Sequence, residues 1–134
     1  MAEIFGEKMY KKKDITLKEL FKQGHTGENS LKALRSRANE GILIYTGIAN
    51  DGRTRLYDKQ LSIVRSKAAR QCKNNHPQPY WSHFKRAFMK LDELNPSLND
   101  VIIDLLNKQR SENQAIIKIL EYVCNQLRSE GHID

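Results

Sequence analysis

Apolar and polar positions alternate along this chain in two rhythms, and the switches between them mark its elements. Leu17, Leu20 and Phe21 fall at i, i+3 and i+4, one face of a helix. Thr16 and Glu19 stand at that helix's start in a Thr-x-x-Glu capping box, and Gln23-Gly24-His25-Thr26-Gly27 breaks it. A second helix is predicted over Glu28–Asn39, with Leu31, Leu34 and Ala38 inward and Gly41 ending it. The period then shortens: Ile42-Leu43-Ile44-Tyr45 reads as a strand and Thr54-Arg55-Leu56-Tyr57 as its return partner. Between them Asp51-Gly52 is a hairpin signal. Asp58 is placed to cap a third helix over Lys59–Gln71. Its inner face is Leu61, Val64 and Ala68, and its outer face is Lys59, Arg65, Lys67 and Arg70.

Residues 74–79 carry two prolines and no apolar period, the pattern of a linker. Beyond them Trp81, Phe84, Phe88 and Leu91, widened by Ala87 and Leu94, form an aromatic stripe at helical spacing, read as core packing. Asn95-Pro96 stops that helix, and Ser97 is placed to cap the next, with Asp100 near its positive end. The last helix is predicted over Leu98–Ser129. Its stripe is Ile102, Leu105, Ile116, Ile119 and Val123, with Leu106, Leu120 and Leu127 beside it and Gln109 and Glu112 interrupting it. A helix of about 30 residues is about 45 Å long, more than one small chain can cover, so the stripe predicts a homodimer seam with polar layers fixing register. The alternative is a break near Ser111-Glu112-Asn113 that folds the helix back on itself. The expected fold is mainly α with a small β-hairpin: a winged helix-turn-helix over residues 1–73 and a helical oligomerisation region over 80–134.

Charge sharpens this division. The 134 residues carry 23 Lys/Arg against 16 Asp/Glu, a net +7. Residues 1–73 hold 16 of the cations against 8 acids, and the remainder holds 7 against 8, so the whole excess lies in the first half. That points to a polyanion-binding module joined to a part that contacts protein. Lys11-Lys12-Lys13 is read either as a solubilising run or as an arm on phosphates. At about 100° per residue, the outward face of the second helix is Asn29, Lys32, Ala33 and Ser36, flanked by Arg35 and Arg37. Asn can read adenine, Lys and Arg can reach guanine or phosphate, and Ala and Ser allow close approach in a major groove. Arg53 and Arg55 fall on the hairpin, where they can clamp the backbone beside that groove.

The segments Ile15-Thr16-Leu17-Lys18-Glu19-Leu20-Phe21, Leu31-Lys32-Ala33-Leu34-Arg35-Ser36-Arg37, Gly41-Ile42-Leu43 and Gly52-Arg53-Thr54-Arg55-Leu56-Tyr57-Asp58 resemble, in order and spacing, the DNA-binding domain of the MerR-like winged helix group. That group includes the related excisionases, and the resemblance covers residues 14–70. It implies that Arg35 is a backbone-contacting arginine. It also implies that Arg55 and Tyr57 form the Arg-x-Tyr wing signature, the arginine on phosphate and the tyrosine packing the wing. The chain departs from the group in two places. Ser36, Arg37 and Ala38 stand where an aromatic pair and a glutamate are usual, and the wing holds one extra residue between Gly52 and Arg55. Both departures point away from a metal- or drug-sensing regulator.

The expected function is therefore sequence-specific binding of double-stranded DNA by a homodimeric transcriptional regulator, a repressor. An alternative is an architectural accessory factor of excisionase, partition or conjugation type that brings a recombinase or other DNA-processing protein to DNA. A third reading takes Asn95-Pro96-Ser97-Leu98 as the helix start of a ribbon-helix-helix protein, and a fourth is an adaptor that binds only protein. No catalytic motif is present, so the chain is not expected to be an enzyme and no cofactor is expected. Cys72, His76 and His83 match no metal-ligand spacing, so no metal is expected. Cys72 and Cys124 are far apart in sequence and read as two ordinary thiols of a reducing compartment. With no apolar run of membrane length and no leader pattern, the expected location is the cytoplasm, away from membranes.

Overall fold

The computed structural model describes residues 14–75, 80–94, 97–109 and 111–133. The Lys11–Lys13 run, the prolines at 77 and 79, and the Asn95-Pro96 stop lie outside the described residues. Within them the chain forms six helices and a small antiparallel sheet. Strand β1 (Asp14–Ile15) leads into α1 (Leu17–Gln23) and α2 (Leu31–Asn39). Strands β2 (Tyr45–Ile48) and β3 (Arg55–Asp58) follow, then α3 (Lys59–Asn75), α4 (Trp81–Leu94), α5 (Leu98–Asn107) and α6 (Glu112–Ser129). No helix among the described residues is long and apolar enough to cross a membrane.

Local chemistry sets most boundaries. The Thr16 hydroxyl accepts from the Glu19 amide at 3.2 Å, closing the predicted cap of α1. The cap of α2 is Ser30, whose hydroxyl accepts from the Ala33 amide at 3.0 Å, so this helix starts later than the Glu28 expected. Such a cap contributes about 1 kcal/mol. The helix ends at Gly41, where the backbone turns left-handed at φ 82°. The Gly41 amide bonds the Ala38 carbonyl and the Ile42 amide bonds the Arg37 carbonyl, a Schellman closure that glycine fits best. The side chain of Asp58 accepts from the Leu61 amide at 2.9 Å and opens α3 as predicted.

The sheet order is β1-β3-β2, with β3 central. Strand β1, unforeseen in the sequence, pairs Ile15 with Tyr57, and β2 pairs Tyr45 with Tyr57 and Ile48 with Arg55. A register shift between Tyr45 and Gly47 accommodates Thr46, whose hydroxyl reaches the Asp14 carboxylate. Ile42 and Leu43, expected in the first strand, precede it and are almost fully buried as anchors under the turn.

One larger expectation is overturned. The final helix is not continuous: α5 ends at Asn107, Gln109 sits at φ 61°, and α6 begins at Glu112. Polar residues at 108, 109 and 111 leave no apolar side chain to hold the helix straight there. The chain turns back, and α6 packs against α3, α4 and α5. Ile102, Ile116, Ile119 and Val123, expected at a dimer seam, are buried inside this single chain, and Leu105 is half-buried. The argument from excess length for a partner helix is thereby removed. The core they join runs without interruption from Ile15 and Leu20 through Phe84 and Phe88 to Leu127. Helix α3 continues to Asn75, the second residue of the segment 74–79 expected as linker; residues 76–79 lie outside the described residues.

Candidate nucleic-acid interface

Helix α2 buries Leu34 completely and leaves Lys32 and Arg35 exposed on its opposite side, with Asn29 exposed just before the cap. Ala33 and Ser36 are half-buried between these faces. Neither Lys32 nor Arg35 forms an ion pair among the described residues. The two carboxylates at the ends of this helix are already used. Glu28 takes Arg37 Nε at 3.3 Å, and Glu40 takes Arg37 Nη1 at 2.5 Å and Lys85 at 3.7 Å. An outward surface without acidic competition is what these internal pairs leave behind.

The hairpin presents the second cationic tract. Asp51 organises its tip: one carboxylate oxygen accepts from the amides of Arg53 and Thr54, both at 2.8 Å, and the other from the Thr54 hydroxyl at 2.5 Å. These bonds, the Thr54 hydroxyl first, hold its pKa down at about 2 from an ordinary 3.8. The Ala49 amide closes onto the Thr54 carbonyl at 2.8 Å, so the loop is bonded across its base as well. Arg53 projects exposed from this tip. The Arg55 guanidinium lies 4.6 Å from the centre of the Tyr45 ring, a stack that restricts its rotamers while the residue stays exposed. Tyr45 and Ile48 beside it are 46% and 47% exposed. Among the described residues no hydrogen bond or ion pair joins the α2 set (Asn29, Lys32, Arg35) to Arg53 or Arg55; they are exposed tracts on separate elements.

Replacing Asp51 with alanine should speed hydrogen exchange at the Arg53 and Thr54 amides while leaving the core amides unchanged. The pH dependence has a definite sign. A carboxyl held below its unfolded value stabilises the tip fully above about pH 4 and loses that contribution as pH falls toward about 2. Amide exchange that is unchanged in the variant would show that Asp51 does not order the loop.

Other expected contacts are placed differently. Tyr57, expected among the DNA contacts, is 3% exposed and packs in the core, with almost no surface left for nucleic acid. Arg37 is turned inward between its two carboxylates and over the Trp81 ring. Arg65, expected on the outer basic face of α3, is instead 2% exposed and donates to the carbonyls of Ile42 and Gly41. Lys67 pairs with Glu112, and Arg70 donates to the Thr26 carbonyl at 3.3 Å. Gly27, in the turn between α1 and α2, sits at φ 80°, the left-handed region that favours glycine, and a Cβ there would displace the Arg70 guanidinium.

Comparison with protein-family models, curated proteins and solved structures returns no match. Any reading of this surface therefore stands on its residues.

Elsewhere the fold brings together groups that the sequence separates. Cys72 on α3 and Cys124 on α6 meet, and burial followed by the neighbouring thiol pushes Cys72 up to about 12. Such a thiol is inert at neutral pH. His83 and His132 stack at 3.6 Å, and burial followed by the charge of His132 lowers His83. A cleft of about 250 Å³ between α3 and α6 is lined by Lys67, Arg70, Gln71, Asn74, Glu112, Asn113 and Ile116. Its polar walls, with Lys67 already paired to Glu112, do not form the apolar concavity typical of a cofactor site. Among the described residues no three His, Cys, Asp or Glu side chains converge as a metal set. Pairings of this kind carry no short-range sequence signal, because each joins residues about fifty positions apart.

Proposed function

We propose that this chain is a winged helix-turn-helix protein that binds double-stranded DNA in a sequence-specific manner, as a transcriptional regulator acting in two copies. One observation supports this reading above the rest. Both carboxylates flanking α2 are engaged by Arg37, and Glu40 also by Lys85, while Lys32 and Arg35 on the same helix remain exposed and unpaired among the described residues. A helix whose outer face serves only solubility has no need to remove its acids from that face.

In this mechanism α2 lies in the major groove, with Asn29 and Lys32 toward base edges and Arg35 on the backbone. Arg53 and Arg55 reach flanking phosphates from the stiffened hairpin, and Tyr57 holds the hairpin to the core. The second copy meets this one through apolar side chains that the core leaves outside. Val101 on α5 and Ile117 on α6 are 37% and 49% exposed. The basic halves repel each other, so association through the near-neutral C-terminal helices is the electrostatically favoured arrangement.

The test is selection of duplexes from a random library with the full chain, followed by titration of the enriched duplex against salt. The three phosphate contacts per bound chain, Arg35, Arg53 and Arg55, imply an affinity loss of roughly fortyfold between about 50 and 200 mM salt. An inverted repeat in the enriched sequence supports the regulator. Tandem direct repeats support the architectural accessory factor instead, and no enrichment with a flat salt dependence rules out both.

A further inference from the structure

We propose that Arg37 and Trp81 are positioning residues of the reading helix: they fix the aim of α2 against α3 and α4 and make no contact with nucleic acid. This inference rests on the DNA-binding reading above and gives Arg37 a different role from the groove contact its sequence position implied.

Helix α2 is weakly held by its apolar side. It has nine residues and only one fully buried side chain, Leu34, so the core fixes its depth but leaves its rotation and tilt poorly determined. Polar and aromatic contacts supply what is missing. Arg37 ties the segment before the helix to the segment after it through Glu28 and Glu40. The guanidinium lies 5.4 Å from the Trp81 ring centre, and Lys73 of α3 comes within 5.1 Å of the same ring. Trp81 leans on Phe84, whose side chain is fully buried in the core. Glu40 extends the connection to Lys85 of α4. At Gly41 a Cβ would come within 2.8 Å of Met89, so α4 also abuts the turn that ends α2.

The chemistry requires arginine at this position. A planar guanidinium can bond two carboxylates along its edges while its face lies flat on an indole, whereas an ammonium is a compact point charge without that edge-and-face geometry. With Nε and Nη1 committed and the face covered, Arg37 is poorly placed to meet a phosphate. The aim of the reading helix is thus set by residues of the C-terminal half, through a joint centred on the only tryptophan in the chain.

The experiment uses the full chain and two duplexes, the enriched one and a shuffled version of it. Arg37→Lys and Trp81→Ala should each reduce the preference for the enriched duplex by about tenfold. The slope of log affinity against log salt should stay unchanged, because no phosphate contact is lost. Trp81→Phe, which keeps a ring under the guanidinium, should restore most of the preference. Ile119→Val serves as a core-weakened control that lowers the melting temperature without altering preference. The inference is overturned if Arg37→Lys binds like wild type while Arg37→Ala lowers the salt slope by about one, the mark of a phosphate contact. It is equally overturned if preference falls in the Ile119→Val control, which would make general stability the cause. If wild type retains neither duplex at about 50 mM salt, the DNA-binding reading itself fails and takes this inference with it. Wild-type binding with unaffected variants removes the inference alone.

Discussion

Charge reversal of both hairpin arginines, Arg53→Glu with Arg55→Glu, should reduce duplex affinity by at least a hundredfold while the melting temperature stays near that of wild type. Each phosphate contact contributes about 0.9 to the salt exponent, roughly a factor of eight between 0.1 and 1 M salt. Losing two contacts therefore accounts for close to two decades, and two new carboxylates facing phosphate add repulsion. The salt slope should fall by about two, and by about one for either single alanine variant. The fold should tolerate these changes, since both side chains are exposed and neither forms an ion pair among the described residues. Arg55 gives up only its stack on Tyr45, an exposed contact of about 0.5–1 kcal/mol. Titration by fluorescence anisotropy at several salt concentrations measures both quantities. An unchanged affinity would mean the hairpin does not touch DNA, and would leave α2 to account for any binding alone.

This prediction depends on parts of the molecule that were legible in the sequence. The Thr16 cap, the Gly41 stop, the Asp58 cap and the hairpin around Asp51-Gly52 each rest on residues within a few positions of one another. Local hydrogen bonds and backbone preferences determine them wherever the chain ends up. What was not legible depends on partners distant in sequence. Ile42 and Leu43 carry strand propensity, yet both are needed as buried anchors, so β2 begins only at Tyr45. The apolar stripe from Ile102 to Val123 announced a surface to be covered and could not say by what. It is covered by the chain's own α3 and α4, once the turn at Gln109 folds the C-terminal segment back. Of the outward set expected on α2, Asn29 and Lys32 are exposed and Ala33 and Ser36 half-buried, and the flanking Arg35 is exposed. That set failed to separate Arg37, because the inward pull of Glu28, Glu40 and Trp81 is a tertiary fact. Burial of an arginine is likewise invisible to a helical wheel, as Arg65 illustrates.

Replacing Arg65 with methionine should destabilise the protein by roughly 3 kcal/mol, seen as a drop of roughly 10 °C in melting temperature. Arg65 Nε donates to the Ile42 carbonyl at 2.6 Å, Nη2 to the Gly41 carbonyl at 3.2 Å and Nη1 to Asn99 at 3.4 Å. Its guanidinium also lies 5.8 Å from the Phe88 ring centre, so most of the side chain is enclosed. Two effects oppose each other in the substitution. Removing a buried cation relieves its desolvation, and apolar replacements of buried ionic groups can be neutral when every partner is replaced as well. Here two of the partners are backbone carbonyls and cannot be replaced. Each is left without its donor in a closed site, at about 1–3 kcal/mol apiece, and that loss outweighs the relief. Lysine at this position keeps the charge but cannot span three acceptors, so Arg65→Lys should recover only part of the stability. Because Gly41 and Ile42 form the turn that ends α2, the methionine variant should also bind duplex more weakly at temperatures where it is still folded. Chemical denaturation followed by circular dichroism measures the first effect and anisotropy the second. A change in melting temperature of less than about 2 °C would mean the carbonyls find other donors and that Arg65 is not the link between α3 and the turn that ends α2.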